Sequence, residues 1–488
     1  MTESPTYRAY QAARDDLRRY QPRVETVLGV TLVPRRRAAA PRVAASFDLA
    51  HYPSGGPLLS AASALRAGSA SATALVRQAL ARIEEWNPRT AGFVHVLTDE
   101  ALREAAACDA DAARGQWRGL LHGLPVTVKD NLHVAGAPTR AGSDAYQAAP
   151  TEDAAAVARL RAAGAIMLAK VTTHEFALGV TAPQARHPRD AARIPGGSSG
   201  GSAISVAVGA AYASLATDTR ASIRVPASLC GVVGFKPTFG VVPTAGLVWL
   251  SWTVDTLGVL AGSVGDATLA LDVISGGDLH LGQANTRSGV ARLRVGLPRA
   301  AFIGADAAVA AAVEAGLRRL EAAGAVVVPV EHPTEDELGW SNAAGLIVSR
   351  AEALEYHRTV GTNWRHVWVE TRDQFEATAQ LQLSDYLLAQ RFRADLASTM
   401  LAEMQTHNLA ALAMPSTLVT APLAADAEQY FTRLSKLAIP WSILGWPVLS
   451  VPASVPASAL PVGVQLVAPP FEEPTLVQLG RAVETGTG

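Results

Sequence analysis

Twice along this chain a short apolar run, an amphipathic helix, a glycine and a second apolar run follow in succession. The first unit is the run 124–128, a helix carrying Val157 and Leu160 with Asp153 placed to cap it, Gly164, and the run 165–169. The second is the run 293–297, a helix from Asp306 with Val309, Val313, Leu317 and Leu320, Gly324, and the run 325–330. A helix long enough to cross back over a strand returns the next strand parallel to it. Units of this kind therefore predict an α/β layered fold. Upstream, Val76, Leu80 and Ile83 recur at helical spacing, and Asn87-Pro88 is expected to end that helix.

At 488 residues and 49% apolar, the chain can bury a large core. Its formal net charge of -1 predicts neither a nucleic-acid nor a membrane partner. No run reaches the ~18 apolar residues of a membrane span. Cys108 and Cys230 form no CxxC pair, so neither a disulfide framework nor a cysteine metal site is expected, and a reducing cytoplasm is. The first twenty residues lack the apolar stretch of a secretory signal. Residues 1–57 read as a helical extension and linker: a polar helix over 6–20, available as an arm for a homodimer, then the solvated run Arg35-Arg36-Arg37. Residues 58–488 read as one domain.

Lysine is scarce. Only Lys129, Lys170, Lys236 and Lys436 occur, and arginine supplies the rest of the 42 basic residues. A position that keeps lysine can need an amine able to lose its proton, which a guanidinium cannot offer. Lys129 ends an apolar strand, where burial would lower its pKa. Lys170 and Lys236 read as structural ion pairs or surface residues, and Lys436 as exposed.

The stretch Pro195-Gly196-Gly197-Ser198-Ser199-Gly200-Gly201-Ser202 suits neither a regular helix nor a strand. Ser202-Ala203 rules out a phosphate loop, and the spacing rules out the dinucleotide fingerprint. GxSxG occurs through both Ser198 and Ser199, but a polar segment precedes it where a nucleophile elbow needs a buried strand. His174-Glu175 begins a zinc motif that Leu178 breaks, so no metal is expected. Cys230 reads as a core residue and Asp255 as structural.

Taken with residues 121–130 upstream and Thr217-Asp218-Thr219-Arg220-Ala221-Ser222-Ile223-Arg224-Val225-Pro226 downstream, the glycine loop resembles the amidase signature family. Gly234-Phe235-Lys236-Pro237-Thr238 and the tail 460–466 extend the likeness. The resemblance implies a single large mixed β-sheet core covered by helices on both faces. It also implies hydrolysis of a small carboxylic amide without a cofactor. Lys129 would be the base, Ser198, held by a cis peptide bond, the relay, and Ser222 the nucleophile. Backbone N–H groups of Thr219, Arg220, Ala221 and Ser222 would form the oxyanion hole. A serine hydroxyl needs such a base to become nucleophilic.

The family usually carries Gly-Gly where this chain has Arg220-Ala221, and Asn-Pro where it has His187-Pro188. If the glycines serve positive φ angles, the replacements strain the loop; if they serve space, Arg220 changes the pocket and can meet an anionic substrate. Trp441 and Trp446 are the expected aromatic contacts to substrate. Two other readings are the glutaminase subunit of a glutamine-dependent transfer RNA amidotransferase and an inactive binding protein on the same fold.

Overall fold

The computed structural model describes residues 5–21, 49–52, 55–282, 289–456 and 458–485. The Arg35-Arg36-Arg37 linker lies outside the described residues. Eleven strands form one mixed sheet. They are β1 Phe93–Val96, β2 Pro125–Lys129, β3 Ile166–Val171, β4 Ala213–Asp218, β5 Val233–Lys236 and β6 Thr256–Ala261. The others are β7 Arg294–Pro298, β8 Val326–Val330, β9 Ala411–Pro415, β10 Val448–Pro452 and β11 Gly463–Val467. Their spatial order is β1-β3-β2-β4-β6-β5-β10-β11-β9-β7-β8. The expected units close as parallel pairs, β2 with β3 and β7 with β8.

Alternate residues of the central strands feed two cores. Ala411 and Ala413 of β9 point into the larger cluster, Leu412 and Met414 into a second, and Leu449 and Val448 of β10 divide the same way. Side chains that alternate across a strand thus meet helices on both faces.

Local expectations needed adjusting. The helix Ala72–Thr90 runs through Asn87-Pro88. Pro88 sits in its last turn, and Ala91 ends it in the left-handed region with its N–H on the Asn87 carbonyl. Asp153 does not cap the helix Ala155–Ala162; its carboxylate accepts from the Ala135 N–H at 2.8 Å and pairs with Arg161. The N-terminal helix Pro5–Arg18 buries Leu17 in the second core, and the following Tyr20 meets Phe392 and Asp395. These residues are thus spent inside the chain rather than left for a second copy.

Trp441 and Trp446 are also corrected. Their rings, 5.9 Å apart, are sealed in the second core among Ile443, Leu444 and Val448, where packing rather than substrate contact holds them. Trp441→Ala is expected to lower unfolding stability by ~3–5 kcal/mol, read by denaturant titration. A loss below ~1 kcal/mol would mean that the ring borders an open pocket.

Candidate active site

β2 lies between β3 and β4, so the residue ending it is cut off from water. That residue is Lys129, fully buried. Its Nζ donates to Ser198 Oγ at 2.7 Å and to Thr217 Oγ1 at 2.8 Å, and Asn131 Nδ2 also donates to Thr217 Oγ1. Burial pushes the Lys129 pKa down to about 7, against the partial opposition of Asp255 and Asp218. No carboxylate forms an ion pair with it among the described residues.

The other lysines differ. Lys170 is buried and paired with Asp130 at 2.8 Å. Lys236 departs from both expectations for it: it is buried, makes no ion pair among the described residues, and donates to the Pro237 carbonyl at 3.1 Å. Burial pushes it down to about 7 as well, but it touches no hydroxyl. Lys436, expected to be exposed, is largely covered and bound to Glu335.

Ser198 follows a cis peptide bond from Gly197 and is fully buried. Glycine is required at 197, where a Cβ would stand 1.8 Å from the Thr181 carbonyl oxygen. The His174 N–H donates to the Ser198 carbonyl at 3.1 Å. The Ser199 N–H donates to the Ser222 carbonyl at 3.3 Å, and Ser199 Oγ donates to the Thr217 carbonyl. The glycine loop is thereby tied to the loop that carries Ser222.

That second loop joins β4 to the helix Arg224–Cys230. Arg224 closes it with two bonds to the Asp218 carboxylate, Nε to Oδ2 at 3.0 Å and Nη2 to Oδ1 at 2.8 Å. Burial alone would raise the Asp218 pKa, but Arg224 holds the carboxyl below its usual range. Thr219 Oγ1 donates to Asp255 Oδ1 at 2.5 Å, and Asp255 Oδ2 accepts the N–H groups of Leu250 and Ser251. Despite these bonds, burial pushes the Asp255 pKa up to about 6. None of the four N–H groups from Thr219 to Ser222 has a protein acceptor among the described residues. Ser222 is 4% exposed, and its Oγ makes no protein hydrogen bond among them. Successive N–H groups left free in a turn form a concavity suited to an anion.

The two replaced glycines separate cleanly. Ala221 sits at φ 147°, where only glycine is at ease, whereas Arg220 has no positive φ. The first position therefore concerns space and the second conformation. The Arg220 side chain turns to the helix Glu335–Thr359, where Nη2 donates to Asn342 Oδ1 at 2.6 Å.

The local motif did not mark Thr217, Asn131 or Asn342. Thr217 lies in β4 beside β2, a pairing that only the folded sheet reveals. Cys230 is buried, which raises its thiol pKa. Glu175 is occupied by Ser143 and the Trp368 N–H, and no group of three potential metal ligands occurs among the described residues.

A family model described as Amidase matches residues 74–477. The chain belongs to the amidase family. It is 36% identical over 481 residues to the amidase-family component of the glutamyl-tRNA(Gln) amidotransferase of Anaeromyxobacter dehalogenans (strain 2CP-C), covering 88% of this chain and 96% of that one. To an amidase of Pseudomonas putida it is 35% identical over 458 residues, with the same two coverages. Among solved structures, a crystal structure of an amidase superposes with a TM-score of 0.80 at 34% identity, covering 88% of this chain and all of that one. The peptide amidase of Stenotrophomonas maltophilia superposes at 0.74 with 29% identity, covering 86% and 94%. The chain is thus an amide-hydrolysing enzyme with the amidase signature fold.

Ala221→Gly is expected to raise unfolding stability by ~1 kcal/mol, as relief of the left-handed strain outweighs the entropy gained by the unfolded chain. Thermal denaturation checks this; an unchanged or lowered midpoint would place the strain elsewhere.

Proposed function

We propose that this amidase cleaves a small carboxylic amide to the acid and ammonia or an amine through an acyl-enzyme on Ser222. The observation that carries this reading is the 2.7 Å bond from Lys129 Nζ to Ser198 Oγ, made by an amine that burial pushes down to about 7. Neutral Lys129 takes the Ser198 proton as Ser198 takes that of Ser222, and Ser222 Oγ attacks the amide carbon. The tetrahedral oxyanion lies in the N–H groups of Thr219, Arg220, Ala221 and Ser222, each such donor being worth ~3 kcal/mol in known oxyanion holes. The proton returns through Ser198 to the leaving nitrogen, the C–N bond breaks, and water activated by the same relay releases the acid. No cofactor enters these steps.

Cys108 and Cys230, both buried and free, fit a reducing cytoplasm. No described helix is long and apolar enough to cross a membrane.

A second reading, the glutaminase component of a transfer RNA amidotransferase, is favoured by the 36% identity to the Anaeromyxobacter protein. It predicts ammonia release from glutamine only with a partner chain.

Ammonia release from a panel of amides by the purified chain tests the first reading. kcat/KM should rise with pH through about 7 and then level off, because only the unprotonated amine accepts a proton. Lys129→Ala and Ser222→Ala should each cost about 10⁴-fold or more. A flat profile between about pH 5 and 9, or an active Lys129→Ala, would refute the relay.

A further inference from the structure

We infer that Arg220 sets the specificity of this site, and that the amide it accepts carries a carboxylate on its acyl portion. This rests on the reading of Ser222 as nucleophile and deepens it.

Arg220 stands two residues before Ser222, in the loop whose N–H groups are free. Its backbone φ is not positive, so this position makes no demand for glycine; what differs here is the side chain. The guanidinium meets no carboxylate among the described residues. Its hydrogen bond runs from Nη2 to the neutral amide oxygen of Asn342. Nε is buried without an acceptor and faces Gly345, where a Cβ would lie 3.6 Å away. The charge it feels from its surroundings is that of Arg350, another guanidinium, which adds repulsion. Burial and Arg350 together disfavour the charged form and push the Arg220 pKa well below its ordinary value.

Other deeply buried cations in this fold are compensated: Arg224 has Asp218, and Lys170 has Asp130. A guanidinium is poorly suited to losing its proton, so the remaining way to compensate a buried one is an anion. Part of the Arg220 side chain stays accessible, so that anion can come from outside. The fork of N–H donors matches a carboxylate. For a primary amide the leaving group is ammonia, which places the anion on the acyl portion. An arginine so near the nucleophile selects a short spacer, as in the monoamides of malonate, succinate or glutarate.

The test compares the monoamide of succinate with butanamide, in which a methyl replaces the carboxylate. Wild type should favour the charged amide by about tenfold or more in kcat/KM. Arg220→Gln should bring that ratio to about one, and Arg220→Lys should restore part of it. Succinate binding by calorimetry, in buffer free of other carboxylates, reads the same contact without turnover and should weaken about tenfold in Arg220→Gln. Because that variant removes an uncompensated charge, its melting temperature should equal or exceed that of wild type; a purely structural arginine would lower it.

An unchanged substrate ratio and unchanged succinate binding in Arg220→Gln overturn the inference. If neutral amides are still hydrolysed and a fluorophosphonate still labels Ser222, the hydrolase reading survives that failure. If neither labelling nor turnover occurs, the hydrolase reading fails, and succinate binding still decides what Arg220 holds.

Discussion

One buried ion pair holds the loop that carries Ser222 in shape. Asp218 ends β4 and Arg224 begins the next helix, both wholly removed from solvent, and everything between them is the turn that presents Ser222. Burying two charges costs several kcal/mol per ion unless geometry and further bonds compensate. Here they do. Asp218 also accepts the Ile223 N–H, and Arg224 also donates to the Ala438 carbonyl, Gln465 and Ser442. The pair thereby anchors the turn to β11 and to the helix Ile439–Ile443. The cost of burial is offset by rigidity where it is needed, at an anion-binding turn with a strained Ala221.

The same arrangement leaves Lys129 chemically available. Every carboxylate near it is already engaged: Asp218 by Arg224, Asp130 by Lys170, and Asp255 by Thr219 and two backbone N–H groups. Lys129 thus loses solvation without gaining an ion pair, which is the condition for an amine to sit neutral near pH 7. Lys236 is as deeply buried but touches only a carbonyl oxygen, so burial alone does not distinguish the two. Contact with Ser198 does.

Much of this is legible in the unfolded chain. The parallel units stand out because strand and helix periods alternate at fixed order, and the serine motifs stand out because four glycines in eight residues, 195–202, have no place in regular structure. What stays hidden depends on distant partners. Asp153 has cap chemistry, yet Ala135 and Arg161 compete for its carboxylate more effectively. Trp441 and Trp446 flank the right region, but aromatic identity alone does not separate a pocket wall from a core. The helix Glu335–Thr359, which brings Asn342 to Arg220, offers no readable stripe because Leu338, Ala343, Ala344, Ile347 and Val348 bury it on several sides. The strand order, which sets Thr217 against Lys129, leaves no trace in any local window.

The most direct measurement is peptide mapping by mass spectrometry after treatment of the native enzyme with a fluorophosphonate. A single adduct on Ser222, absent from Lys129→Ala, is the predicted result. An adduct on Ser198 or Ser199 with Ser222 unmodified, or equal labelling of Ser222 without Lys129, would contradict the placement of nucleophile and base.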